Sequence, residues 1–190
     1  ATVTRKTSET TITVSLDLDG SGVAVIKTGI PFFDHMLDSF TRHGRFDITI
    51  QAEGDLETGY HHTVEDVGIV LGQAIHEAIH DGKGIQRFSS ITIPMDESRA
   101  EISIDAGGRP YLVFEGSFSG PVEGVLDPWL VRHFFESLIQ NAKITAHMQV
   151  AGHSDHHMCE ALFKAFGVAL STATRIMYPD GKIPSTKGVL

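Results

Sequence analysis

Polar and apolar residues alternate with a period of two in Thr2–Thr7, Thr10–Asp17 and Gly22–Thr28, which predicts three half-buried strands. Asp19-Gly20-Ser21-Gly22 is a turn between the second and third. The period then lengthens. Pro31 opens a helix whose apolar face is Phe33, Met36, Leu37 and Phe40, with Gly44 as its expected C-terminal cap. Arg45–Glu53 alternates again as a strand, and a long helix follows from His61-His62 to Asp81-Gly82-Lys83-Gly84.

The same order returns in the second half. Strands are predicted over Phe88–Met95, Ser98–Ala106 and Pro110–Glu115. Asp127 is expected to cap a helix with Pro128 at its first position, buried through Trp129, Leu130, Phe134 and Leu138. Lys143–Val150 is a strand, and a second His-His helix follows. Each half reads as βββαβα. The fold expected is α+β, internally duplicated, each unit a four-stranded sheet with two helices on one face. The halves, 1–84 and 85–190, have no low-complexity linker between them, so one compact domain is expected.

The repeat is sharpest at its chemistry. His61-His62-Thr63-Val64-Glu65 and His156-His157-Met158-Cys159-Glu160 are ninety-five residues apart, and the match continues through Gly72 and Gly167. Residues three and four apart share a helix face, so one histidine and the glutamate can reach a single cation. Adjacent histidines point about 100° apart, so the other must serve something else. One His-His pair is more often surface or capping chemistry. Two copies in matching helices favour a two-metal site of imidazole and carboxylate, suited to manganese, iron, nickel or zinc.

Composition narrows the classes. The chain has 190 residues, 41% of them hydrophobic, and a net charge of −9. That charge argues against nucleic acid, and no apolar run reaches the roughly 18–20 residues of a membrane span. No secretion signal precedes the first strand, and the single Cys159 cannot form an internal disulfide, so a reducing, cytoplasmic location is expected. Eleven histidines call for a metal or proton-transfer explanation. His76 and His80 read as helix-end residues, and His133 and His153 carry no special pattern. No P-loop, GxGxxG or Gly-x-Ser-x-Gly appears. Residue pattern alone leaves metal-assisted hydrolysis, elimination, redox chemistry and non-catalytic metal storage open.

Longer motifs resemble one family. Arg5–Thr10, Pro31-Phe32-Phe33-Asp34-His35-Met36-Leu37, Gly59–Asp66, Gly108-Arg109-Pro110-Tyr111, Gly152–Phe166 and Pro184-Ser185-Thr186-Lys187-Gly188-Val189 are similar to the signatures of the imidazoleglycerol-phosphate dehydratases. The resemblance implies a hydro-lyase of histidine biosynthesis that converts D-erythro-imidazoleglycerol phosphate to imidazole acetol phosphate through a metal-bound imidazolate. It implies two manganese ions per active site. One would take His35, Glu65 and one histidine of each pair; the other would take His147, Glu160 and the remaining two. Glu9, with Glu160 assisting, would be the acid/base. Substrate would meet Glu9, His35, His43, Arg87, Arg109, Ser185, Thr186 and Lys187. The family also implies a homo-oligomeric shell of 24 subunits with interface active sites and a small phosphate substrate as the only other partner. The alternatives are another di-metal His/Glu hydrolase and a non-catalytic metal-binding module.

Overall fold

The computed structural model describes residues 1–188 and 190; Val189 of the tail motif lies outside the described residues. The elements run in the expected order. They are β1 (Thr2–Lys6), β2 (Thr10–Asp17), β3 (Ala24–Lys27), α1 (Pro31–Gly44), β4 (Asp47–Gly54) and α2 (His61–Ile79). The second half supplies β5 (Phe88–Met95), β6 (Ser98–Asp105), β7 (Tyr111–Glu115), α3 (Pro128–Ala142), β8 (Thr145–Ala151) and α4 (Asp155–Thr174).

Two four-stranded sheets form, ordered β1-β2-β4-β3 and β5-β6-β8-β7. β1–β2 and β2–β4 pair antiparallel, whereas β3 and β4 pair parallel because α1 returns the chain to the same end of the sheet. The second sheet repeats this with β7 and β8 around α3. The alternation of the strands decides which face is buried. Ile12, Val14 and Leu16 of β2 meet Ile48 and Ile50 of β4 inside, and Ala100, Ile102 and Ile104 do the same in β6.

The four helices lie between the sheets, and their principal contacts cross the repeat boundary: α1 packs on α4, and α2 on α3. Glycines set how close they come. A Cβ on Gly72 would stand 2.4 Å from the Leu138 carbonyl oxygen, and one on Gly167 would stand 2.4 Å from that of Phe40. Between these crossings Phe33 and Phe134 meet edge to face at 5.2 Å, Phe134 stacks on Phe163 at 5.4 Å, and Phe40 stacks on Phe166 at 5.7 Å. The two halves therefore share one core.

Two capping expectations need correction. α1 includes Gly44, and the left-handed cap is Arg45 at φ 60°. Glycine is required at 44 for a different reason, because a Cβ there would strike the Phe46 ring. Asp127 occupies the N-cap position of α3, but its side chain makes no capping bond. In α4 the side chain of Ser154 does accept from the His157 N–H, at 3.3 Å, and so fixes both histidines in the first turn.

Candidate active site

The chemistry gathers where helices of opposite halves begin. His35 sits in the second turn of α1, and His156 and Glu160 are one turn apart on α4; one donor atom from each lies within 4.8 Å of the others. Glu160 Oε2 is 3.2 Å from His156 Nε2 and 3.8 Å from His35 Nε2. The repeat builds the same cluster again from α2 and α3. There Glu65 Oε2 is 3.1 Å from His61 Nε2 and 3.4 Å from His133 Nε2.

His133 Nε2 is buried and makes no hydrogen bond. A buried polar atom without a partner is costly in a folded protein, and a cation at the centre of the cluster would satisfy it. Two imidazoles and a carboxylate at each cluster form a donor set suited to a borderline divalent ion, with positions left open. The residues fit manganese.

The other member of each histidine pair turns away, again symmetrically. Nδ1 of His62 is 3.0 Å from Asp55 and 3.8 Å from Glu9; Nδ1 of His157 is 3.0 Å from Glu97 and 4.0 Å from Asp96. A carboxylate only accepts, so Nδ1 carries the proton and Nε2 keeps its lone pair, the arrangement by which a carboxylate orients a metal-binding histidine. The bonds to Asp55 and Glu97 raise the His62 and His157 pKa values, and His157 in turn holds the Glu97 carboxyl down at about 2. His156 is braced likewise by Glu123, 2.6 Å from its Nδ1. His61 has Trp129 edge-on at 5.0 Å.

Burial pushes the Glu160 carboxyl up, but the bond and charge of Lys164, with His35 and His156, outweigh it and leave the pKa lowered. The Cys159 thiol, fully buried, is pushed up and inert.

Within one chain the clusters group differently from the expected ligand sets. His35 keeps company with Glu160, not Glu65, because α1 packs on α4. His147 joins neither cluster. Ala146, Met148 and Val150 take the inner face of β8, so the period of two turns His147 to the exposed outer face between Ser103 and Val113. The residue in its stead is His133, which sequence reading missed. The signal was available: His35 follows its helix-opening proline by four residues and His133 follows Pro128 by five, a one-residue offset that hid the correspondence. His43 lies about 12 Å along the α1 axis from His35, exposed, with Nδ1 bonded to the Ser39 carbonyl at 2.9 Å.

The basic residues form a separate site. Arg87, Arg109, Ser185, Thr186 and Lys187 line one cavity of about 390 Å³. Arg87 is held there by Asp105, at 2.7 and 3.1 Å, and by the Pro184 carbonyl at 2.7 Å. Its backbone N–H bonds the Ala173 carbonyl at the far end of α4. Residues 156 and 173 stand about 26 Å apart along that helix, at ~1.5 Å per residue. The end of α2, at His76 to His80, shares a small cavity with Gly108 and Leu190, so His61 too is a helix length from the basic site.

Comparison with known proteins agrees over the whole chain. Residues 28–170 match the family model described as imidazoleglycerol-phosphate dehydratase. The imidazoleglycerol-phosphate dehydratase of Methanospirillum hungatei is 72% identical over 190 residues, covering 100% of this chain and 98% of that protein. That of Methanoculleus marisnigri is 56% identical, over 99% of this chain and 97% of the relative. The crystal structure of the Pyrococcus furiosus enzyme superposes with a TM-score of 0.84 at 33% identity, covering 99% of this chain and 100% of that one. That of Staphylococcus aureus gives 0.80 at 39% identity, over 91% and 98%.

Proposed function

The chain belongs to the imidazoleglycerol-phosphate dehydratase family, and we propose that its two His/His/Glu clusters hold the manganese ions of a metal-dependent dehydration. It is a hydro-lyase of histidine biosynthesis. The observation that carries the metal reading is the recurrence of one three-donor geometry at His35–His156–Glu160 and at His61–Glu65–His133. His35, His156 and Glu160, and His61, Glu65 and His133, would hold the cations, which would supply Lewis acidity toward the substrate's imidazole.

The protein's own groups do the rest. Arg87, Arg109 and Lys187 supply charge for the phosphate, and Ser185 and Thr186 supply hydroxyls. Arg87 arrives already oriented by Asp105, so less freedom is lost on binding. Glu9 stands exposed beside His62, and to its carboxylate we assign removal of the proton from the carbon that becomes the enol. Glu160, with Oε2 turned toward the imidazoles, assists from the metal side.

A glycerol chain spans only a few carbon–carbon bonds and does not reach from the clusters of one chain to the basic cavity of the same chain. The active site is therefore assembled from several copies. We assign His62 and His157, whose Nδ1 atoms are held by Asp55 and Glu97, to completing sites on neighbours. The 24-subunit shell is the assembly we propose, in the cytoplasm; among the described residues no helix is long and apolar enough to cross a membrane.

The test is product identity with and without metal. Imidazoleglycerol phosphate should yield imidazole acetol phosphate with no inorganic phosphate released, activity falling with chelator and returning with Mn²⁺. Phosphate release without ketone would favour a hydrolase, and full turnover after confirmed metal removal would overturn the metal reading.

A further inference from the structure

The turn that carries Glu9 is clamped to the same helix that carries His62. Residues 7–10 close the β1–β2 hairpin: the Thr7 N–H donates to the Thr10 carbonyl at 2.8 Å. The Thr7 hydroxyl oxygen accepts from the N–H groups of Glu9 and Thr10, at 3.1 and 3.0 Å. On its other side the Glu9 carbonyl accepts from the Asp55 N–H at 3.1 Å, and the Asp55 carboxylate holds His62. From beneath, the Thr10 hydroxyl donates to Asp66 Oδ2, and Arg5 of β1 pairs with Asp66 Oδ1. Asp66 lies one turn beyond His62 on α2, so one helix fixes both the histidine and the turn. Asp66 is 6% exposed and Thr10 3%. A carboxylate so buried must be paired and hydrogen-bonded, and Arg5 and Thr10 meet that need.

The second half-repeat is built differently at this point. Glu97 and Ser98 match Glu9 and Thr10, but at the offset that relates Glu160 to Glu65 the residue matching Asp66 is Ala161. There the Ser98 hydroxyl donates to Glu97 Oε1 at 2.9 Å, while Glu97 Oε2 is 3.0 Å from His157 Nδ1. The His157 bond, with the Glu97 backbone N–H and the Ser98 hydroxyl, holds that carboxyl down at about 2, a poor base for neutral pH. In the first half the matching hydroxyl is engaged by Asp66 and the matching histidine by Asp55.

We infer that Asp66 is a positioning residue for the dehydration: by holding the Thr10 hydroxyl and Arg5 it fixes the Glu9 turn against α2 and keeps that hydroxyl off the Glu9 carboxylate. The inference rests on the reading of Glu9 as the base given above. Asp66 touches no reacting group and acts only through the turn. A displacement of about 1 Å in a catalytic group can cost about a hundredfold in rate, so a buried clamp has leverage. Its two donors meet different oxygens, and asparagine has only one acceptor oxygen to offer them. Thr10→Val breaks the same link from the other end, keeping the β-branched shape and removing the hydroxyl.

The experiment is a double-mutant cycle on the full-length, Mn²⁺-loaded protein, with imidazoleglycerol phosphate as substrate and light scattering to follow assembly. Asp66→Asn and Thr10→Val are each made with and without Glu9→Gln. Alone, each should lower kcat at least about tenfold, with KM within about twofold of wild type. Added to Glu9→Gln, each should cost no more than about a further twofold, because the group they position is already gone. A clamp that served stability alone would act equally in both backgrounds. Wild-type kcat in both variants, or the same fold loss with and without Glu9→Gln, would overturn the inference while leaving Glu9 as the base. Near-normal turnover in Glu9→Gln itself would overturn the reading of Glu9 and the inference with it. If Asp66→Asn does not assemble, Thr10→Val and its double variant decide.

Discussion

Glu9 Oε2 lies 3.8 Å from Nδ1 of His62, on the side of the ring that Asp55 already holds at 3.0 Å. Asp55 thus fixes the imidazole, and Glu9 is left half-free at its rim. The loop carrying Glu9 is anchored from below, where Thr10 and Arg5 both bond the buried Asp66 of α2. An exposed carboxylate on an anchored loop beside His62 contributes little packing, as the proposed proton-transfer role requires.

Glu9→Gln keeps shape and removes basicity. The expected variant folds, assembles and binds two ions per chain, yet loses at least about a hundredfold in kcat, the lower range for a positioned general base. KM should change far less, because the metals and the phosphate cavity remain. Near-normal turnover with assembly intact would leave Glu160 as the base.

His133 and His147 separate the clusters seen here from a ligand set drawn on sequence resemblance. His133→Ala should reduce bound manganese from two ions per chain to one, measured by elemental analysis. His147→Ala should retain both and shift stability by no more than about 0.5 kcal/mol, as at other outward-facing surface positions. The reverse pattern would restore His147 to the site.

The helix crossing makes its own prediction. Gly→Ala within a helix ordinarily gains about 1 kcal/mol, but at Gly72 the added methyl would lie 2.4 Å from a backbone oxygen that cannot rotate away. The clash wins. Gly72→Ala should lower stability by about 1–3 kcal/mol, read as a reduced Tm. An unchanged or raised Tm would show that α2 and α3 can separate without cost.

Asp47 carries a pH signature. Its carboxylate accepts backbone N–H bonds from Val23, Ser21 and Gly22, tying the loop before β3 to β4, and these bonds lower its pKa. A depressed carboxyl stabilises the fold above its unfolded value near 3.8, and the contribution is lost as pH falls through the folded value. Asp47→Asn in chelator-treated protein should therefore melt below wild type at neutral pH, with the difference closing in acid. A difference independent of pH would assign the effect to shape alone.

These tests bear most heavily on what the sequence left hidden. Strand and helix positions were legible because Ile12, Val14 and Leu16 or Phe33, Leu37 and Phe40 carry their periods openly, and the His-His-x-x-Glu pairs exposed the duplication. Periodicity assigns each residue a face but does not say which helix that face meets. The crossing of α1 onto α4 and α2 onto α3 is set by Gly72, Gly167 and the phenylalanine cluster, and it reassigned His35 from Glu65 to Glu160. The parallel β3–β4 pairing was equally silent, since a strand's alternation is the same in either direction. The outward face of His147 was legible too, because the apolar residues on either side of it place it there.

If the clusters of one copy work with the basic cavity of another, subunit mixing will restore activity that neither variant has alone. One variant, Arg87→Ala/Arg109→Ala, keeps the metal clusters and loses the phosphate cavity; a second, His35→Ala/His133→Ala, does the reverse. Each alone should be inactive. Dissociated with chelator, combined and reassembled with Mn²⁺, the mixture should recover dehydratase activity in proportion to the sites that receive an intact cluster set and an intact cavity. Mixed assemblies that form by light scattering yet stay inactive would contradict a shared active site and return the whole reaction to a single chain.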